Sequence, residues 1–155
     1  MLDIECVFPE NKRYLWSIIN YLQNDAAAKG VKKPKSYFDS FWHQIGHITK
    51  DTNKIWIARS QRTHHLVGYM VVNTDLRNPS NVYGDVLRVE YFEVLPRYRR
   101  KGAGKTMIDW LKTRAISKQF SFIHVPDTID ETVGFWESMD FIEMIGETGL
   151  WWDAV

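Results

Sequence analysis

The chain has 155 residues, 45% of them hydrophobic and 25% charged, the proportions of one globular domain spanning 1–155 and able to bury a core. A net charge of +1 argues against a general binder of nucleic acid or of membrane surfaces, and the single Cys6 excludes an internal disulfide, which fits a reducing, cytoplasmic setting. No apolar run approaches the length of a membrane span.

In chain order, Leu2 to Phe8 reads as a short strand stopped by Pro9. Leu15, Ile18, Ile19, Leu22 and Ala26 follow helical spacing, and Gly30 closes that helix. After the basic connector 31–35 comes a second helix over about 36–49, with Phe38, Phe41, Trp42, Ile45 and Ile48 on one face. His43 and His47 could point the same way on it, but no third ligand has suitable spacing, so no metal site is assigned. Lys54 to Arg59 and His65 to Asn73 read as the two strands of a hairpin around the polar turn SQRTH, and Gly68 marks a bulge or a close approach. The turn-rich 75–81 leads into a long strand, Val86 to Val94, which Leu95-Pro96 ends.

A basic, glycine-bearing loop follows this strand, and then a helix with Met107, Ile108, Leu111 and Ala115 on one face. Strand, glycine loop and helix together present backbone N–H groups and a positive helix end to an anion. Arg99, Arg100 and Lys101 add charge, while Gly102 and Gly104 keep side chains out of the way. The reading is a polyphosphate-binding turn. Neither the dinucleotide fingerprint nor the P-loop pattern fits, because the position five before Gly104 is Arg99. Beyond it, Phe120 to Val125 is a strand, and Thr128-Ile129-Asp130-Glu131 is a capping box opening a helix through Val133, Phe135, Trp136 and Met139. Phe141 to Ile145 and Leu150 to Val155 finish the chain as two strands around the Gly146–Gly149 turn.

The run Arg99-Arg100-Lys101-Gly102-Ala103-Gly104 after Val94-Leu95-Pro96 resembles the acyl-CoA signature of the GCN5-related N-acetyltransferase (GNAT) superfamily. A softer match is Phe135-Trp136-Glu137-Ser138-Met139-Asp140-Phe141, similar to the family's C-terminal segment with Trp136 for tyrosine and Asp140 for glycine. The resemblance implies an α/β (α+β) fold: a mixed, mostly antiparallel sheet of about seven strands with about four helices on its two faces. It implies acetyl-CoA as co-substrate, its pantetheine arm along Phe92 to Pro96 and its pyrophosphate on the N–H groups from about Arg99 through Ala103 to Lys105. A backbone N–H near Val94 would polarise the thioester carbonyl.

An amine acceptor must lose a proton before it attacks, so a base is needed. Strand alternation puts Arg88, Glu90, Phe92 and Val94 on one face and Val89, Tyr91 and Glu93 on the other. The resemblance places Glu90 and Arg88 along the catalytic cleft, Glu90 as general base, with pairing to Arg88 as its structural alternative; Glu93 is the second candidate. At the usual acid position Trp136 offers only a hydrogen-bonding N–H, which leaves water, Tyr91, Tyr98 or Ser138, or an unassisted thiolate. Arg88, Phe41, Trp42 and Trp136 are the candidate acceptor-binding residues, and Leu150-Trp151-Trp152 is compatible with a homodimer through the last strands. Two other classes stay open: an acyl-CoA-binding module without catalysis, and a nucleic-acid binder using Lys32, Lys33, Lys35 and Arg97 to Lys101.

Overall fold

The computed structural model describes residues 1–7, 53–76, 85–126, 128 and 130–154. The two helices expected before residue 50, with Phe41, Trp42, His43 and His47, lie outside these residues, as do the basic connector and Asp127.

Among the described residues six strands form one sheet in sequence order: β1 Leu2–Val7, β2 Asn53–Ser60, β3 Leu66–Leu76, β4 Val86–Val94, β5 Phe122–Val125 and β6 Leu150–Asp153. Every pairing is antiparallel except β4 with β5. That one parallel pair needs a crossover, and helix α1, Ala103–Ser117, supplies it. A second helix, α2, spans Asp130–Ser138 with Asp130 and Glu131 in its first turn, where the helix dipole favours acids.

The sheet is buried on both faces in its middle, which explains the nearly continuous apolar runs of β2 and β3. On one face Trp56, Met70, Val72, Leu87, Val89 and Ile123 join Ile108, Leu111 and Ala115 of α1 in the core cluster. On the other, Ile55, Ile57, Val67, Tyr69, Val71 and Val86 are equally buried. Gly68 is a close approach: a Cβ there would stand 2.6 Å from the Glu93 carbonyl oxygen and 3.0 Å from Met107 Sδ.

Both helices end in the same way. Phe120 N–H bonds the Ala115 carbonyl and Gln119 N–H that of Ile116; Phe141 N–H bonds Trp136 and Asp140 N–H bonds Glu137. With Gln119 at φ 63° and Asp140 at φ 68°, these are Schellman closures carried by non-glycine residues. The segment after the second closure departs from expectation. Instead of a strand over Phe141 to Ile145, a single bridge joins Ile142 to Trp151, so the described sheet has six strands and not about seven. Ile142 and Ile145 are exposed, and a turn closes from Met144 to Glu147, so their side chains drive no pairing.

Candidate functional site

The site starts where two strands part. The β4–β5 ladder holds for Val86 with Phe122, Leu87 with Ile123 and Arg88 with His124, and then stops. β5 ends at Val125, before Pro126, whereas β4 runs on to Val94. Past Arg88, β5 no longer flanks β4, and a wedge opens along the second half of that strand.

A bulge re-aims the side chains at its mouth. Val72 pairs with Val89 and Val71 with Tyr91, so Glu90 faces no partner on β3. The extra residue shifts the alternation. Phe92 therefore packs on the core cluster beside Val89, and Val94 lies 3.6 Å from where a Cβ on Gly104 would be. Arg88 and Glu90 are on the opposite face, where Arg88 Nε donates to Glu90 Oε1 at 2.6 Å. The expected grouping of Arg88, Glu90, Phe92 and Val94 on one face is corrected: strict alternation cannot see a bulge. Tyr91 keeps to the side of Arg88, and the Glu90 carboxylate is engaged by its neighbour.

At the far end, β4 passes through a 3₁₀ turn, Pro96–Tyr98, into the basic loop. Arg99 turns back onto the strand, where its Nε donates to the Val94 carbonyl at 2.8 Å and its Nη2 pairs with Glu93. The Arg99 N–H is taken by the Pro96 carbonyl. Both group assignments change as a result. Arg99 braces the loop and does not extend into it, and Glu93 is the partner of that brace.

The turn read from the sequence as an anion cradle begins one residue later. Arg100 and Gly102 have positive φ, 60° and 83°, and among the described residues no backbone carbonyl takes the N–H groups of Lys101 through Lys105. Thr106 is the first residue of α1 to bond back, to Gly102, as the geometry of a helix N-terminus requires. Arg100 and Lys101 are exposed, and Lys105 Nζ lies 2.6 Å from Asp109 one turn on. The two glycines serve different ends. Gly102 is needed for its φ, with open space around it, while a Cβ on Gly104 would lie 3.1 Å from the Phe135 ring.

Phe135 belongs to an aromatic wall behind the loop. It stacks on Phe92 at 5.6 Å between centroids, and Trp136 meets Phe92 edge-on at 5.3 Å and Phe141 at 5.1 Å. Trp136 is only 4% exposed and sits in the core cluster. Its indole fills the core and does not face the wedge as an acceptor-binding group would. Ser138 Oγ donates to the Phe135 carbonyl, and Tyr98 OH faces His65 Nδ1 at 3.5 Å.

One residue at the mouth escaped the reading of the sequence. His124, the register partner of Arg88, is buried and stacked on Trp151 at 3.8 Å between ring centroids. Its Nε2 lies 2.8 Å from the Thr148 carbonyl, which also accepts from Trp151 Nε1 at 3.1 Å. Burial pushes the His124 imidazole below its ordinary pKa of 6.5, with Arg88 pushing the same way, against the Thr148 hydrogen bond, Glu147 and Glu90. The signal in the sequence was one polar residue in the apolar run FIHV.

Among the described residues no cluster of His, Cys, Asp and Glu could hold a metal ion, and no helix is long and apolar enough to cross a membrane. The model of the acetyltransferase (GNAT) family matches residues 16–141. No curated protein matches the chain. Among solved structures, ribosomal-protein-alanine N-acetyltransferase from Brucella melitensis biovar Abortus 2308 is 21% identical, with 96% of each chain covered and a TM-score of 0.65. Glucosamine-6-phosphate N-acetyltransferase from Arabidopsis thaliana is 16% identical, covering 96% of this chain and 97% of its own at a TM-score of 0.64. A predicted acetyltransferase from Clostridium acetobutylicum, solved with acetyl-CoA, is 11% identical over 94% of this chain and 93% of its own, TM-score 0.66. At these identities the likeness is one of fold.

Proposed function

Because the chain belongs to the acetyltransferase (GNAT) family, we propose that it transfers an acetyl group from acetyl-CoA to a primary amine by direct attack within a ternary complex. The observation that carries this reading is the wedge: β4 leaves β5 after Arg88 and ends in a loop whose N–H groups and cations await an anion. The residues fit the co-substrate. The edge of β4 at Phe92 and Val94 would take the pantetheine arm, and the N–H groups of Lys101, Gly102, Ala103, Gly104 and Lys105 would take the pyrophosphate, with Arg100 and Lys101 adding charge. When bound, acetyl-CoA supplies a thioester carbonyl activated toward nucleophiles. A backbone N–H near Val94 would polarise that carbonyl, and the Arg88, Glu90 and Tyr91 side of the sheet would meet the amine. The amine acceptor class is supported by two structural neighbours, named as N-acetyltransferases of glucosamine 6-phosphate and of ribosomal-protein alanine.

Calorimetric titration with acetyl-CoA, with CoA and with 3′-dephospho-CoA tests the donor site. Micromolar binding that Gly104→Val abolishes is the expected result. Thiol release on a panel of primary amines then tests transfer. Binding with no release on any amine would leave an acyl-CoA-binding module; no binding by any of the three would overturn the reading.

A further inference from the structure

The transfer proposed above needs a base, and a candidate stands outside both the family motif and β4. Glu90 stands at the mouth of the wedge, but its Oε1 accepts from Arg88 Nε at 2.6 Å. His124 stands on the adjoining strand at the last rung of the ladder, directly beside Arg88 and on the same face. A carbonyl oxygen can only accept, so the 2.8 Å contact with Thr148 fixes a proton on His124 Nε2. Nδ1 is then the basic nitrogen, and among the described residues nothing donates to it. The stack on Trp151, itself bonded to the Thr148 carbonyl, holds the ring plane.

Resting on the acetyltransferase reading, we propose that Nδ1 of His124 takes the proton from the acceptor's ammonium group, directly or across one water, while the Glu90 carboxylate draws the ammonium to the mouth of the wedge. One ammonium N–H bond breaks, its electron pair stays on nitrogen, and the imidazole becomes an imidazolium that returns the proton to solvent. The freed amine attacks the thioester carbonyl carbon and the C–S bond breaks with its electrons on sulfur. The second nitrogen proton then ends on the thiol of CoA. The division of labour follows from what each group is. A carboxylate already held by an arginine attracts a cation, whereas a neutral imidazole with a free lone pair can accept its proton. Burial keeps His124 neutral below the ordinary imidazole range, and the charged groups around it are Arg88 and Glu90 on β4 and Glu147 in the turn before β6.

Two measurements decide the matter. In ¹⁵N-resolved NMR of the wild-type protein at pH 7, with and without acetyl-CoA, His124 should appear as the neutral tautomer protonated on Nε2. A proton on Nδ1 would overturn the proposal whatever the activity. His124→Gln keeps a donor for the Thr148 carbonyl and removes Nδ1. With an amine that the wild type acetylates, this variant should bind acetyl-CoA with unchanged affinity and lose about a hundredfold or more in kcat/KM at pH 7. The acid limb set by the imidazole should give way to a rise that follows the amine's own pKa, so the deficit should shrink at alkaline pH, where free amine is already present. Glu90→Gln should raise KM for the amine and keep the acid limb. Retention of the limb by His124→Gln, or its loss in Glu90→Gln alone, would return the role to Glu90. Failure of the wild type to bind acetyl-CoA would instead overturn the acetyltransferase reading and this proposal with it.

Discussion

Arg99 closes an ion pair with Glu93 across the turn that joins β4 to α1, and the same guanidinium donates to the Val94 carbonyl at 2.8 Å. The pair therefore sets how the cradle loop leaves the strand. Both side chains are partly exposed, so the ion pair itself contributes at most about 1 kcal/mol to stability. Its larger effect is on the position of the loop. Arg99→Ala should weaken acetyl-CoA binding about tenfold or more, near 1.4 kcal/mol, with a melting temperature lowered by only a few degrees. Glu93→Gln keeps a neutral acceptor for Arg99 and should weaken binding less. Calorimetric titration of both variants checks this. Equal affinities for wild type and Arg99→Ala would mean that the loop holds its shape without the brace.

A second prediction comes from the buried imidazole. The native pKa of His124 is depressed by burial, below the 6.5 expected in the unfolded chain. As pH falls through that interval the unfolded state takes up a proton that the native state refuses, so the unfolded state binds more protons and stability falls with pH. The contribution is complete above about pH 6.5, the ordinary imidazole pKa, and is lost progressively as pH drops toward the native value. His124→Gln, which has nothing to titrate there, should show a flatter dependence of melting temperature on pH between about 5 and 7. The slope is the readout, since the substitution also shifts stability by a constant. Parallel curves for the two proteins would show that His124 gains no protection from burial.

The pattern of these residues explains what could be read in advance. The buried face of α1, Met107, Ile108, Leu111 and Ala115, is as the helical spacing predicts, because an amphipathic helix writes its packing into its own period. The loop from Arg99 to Gly104 was legible because glycine, charge and a helix start are local features. The bulge at Glu90 was not, for it depends on how β4 pairs with β3, and it alone reverses the face on which Phe92 lies. Trp136 was misplaced for a related reason. Its position in the segment suggested an active-site group, whereas its burial depends on Phe92, which β4 brings from over forty residues away, beside Phe135 and Phe141 of its own segment. His124 acquires its meaning only from Arg88 beside it and Thr148 beneath its ring nitrogen, both remote in sequence.

The closure of α2 gives a third prediction. Asp140 is held at φ 68° while Phe141 N–H reaches the Trp136 carbonyl, so an L-residue occupies the left-handed site that a glycine would fill without strain. The side chain is exposed, and the hydrogen bonds of the closure come from the backbone alone. Asp140→Gly relieves the left-handed strain, about 1 kcal/mol, and gives back part of it through the greater freedom of glycine in the unfolded chain. The net expectation is a gain of about 0.5 kcal/mol, a rise of about 1–3 °C in melting temperature for a chain of this size. Phe141, fully buried behind Trp136, should keep its place, so acetyl-CoA binding should be unaltered. Thermal melts of the two proteins under the same buffer check it. A lower melting temperature for Asp140→Gly would show that the Asp140 side chain stabilises its own left-handed conformation by more than the strain it carries.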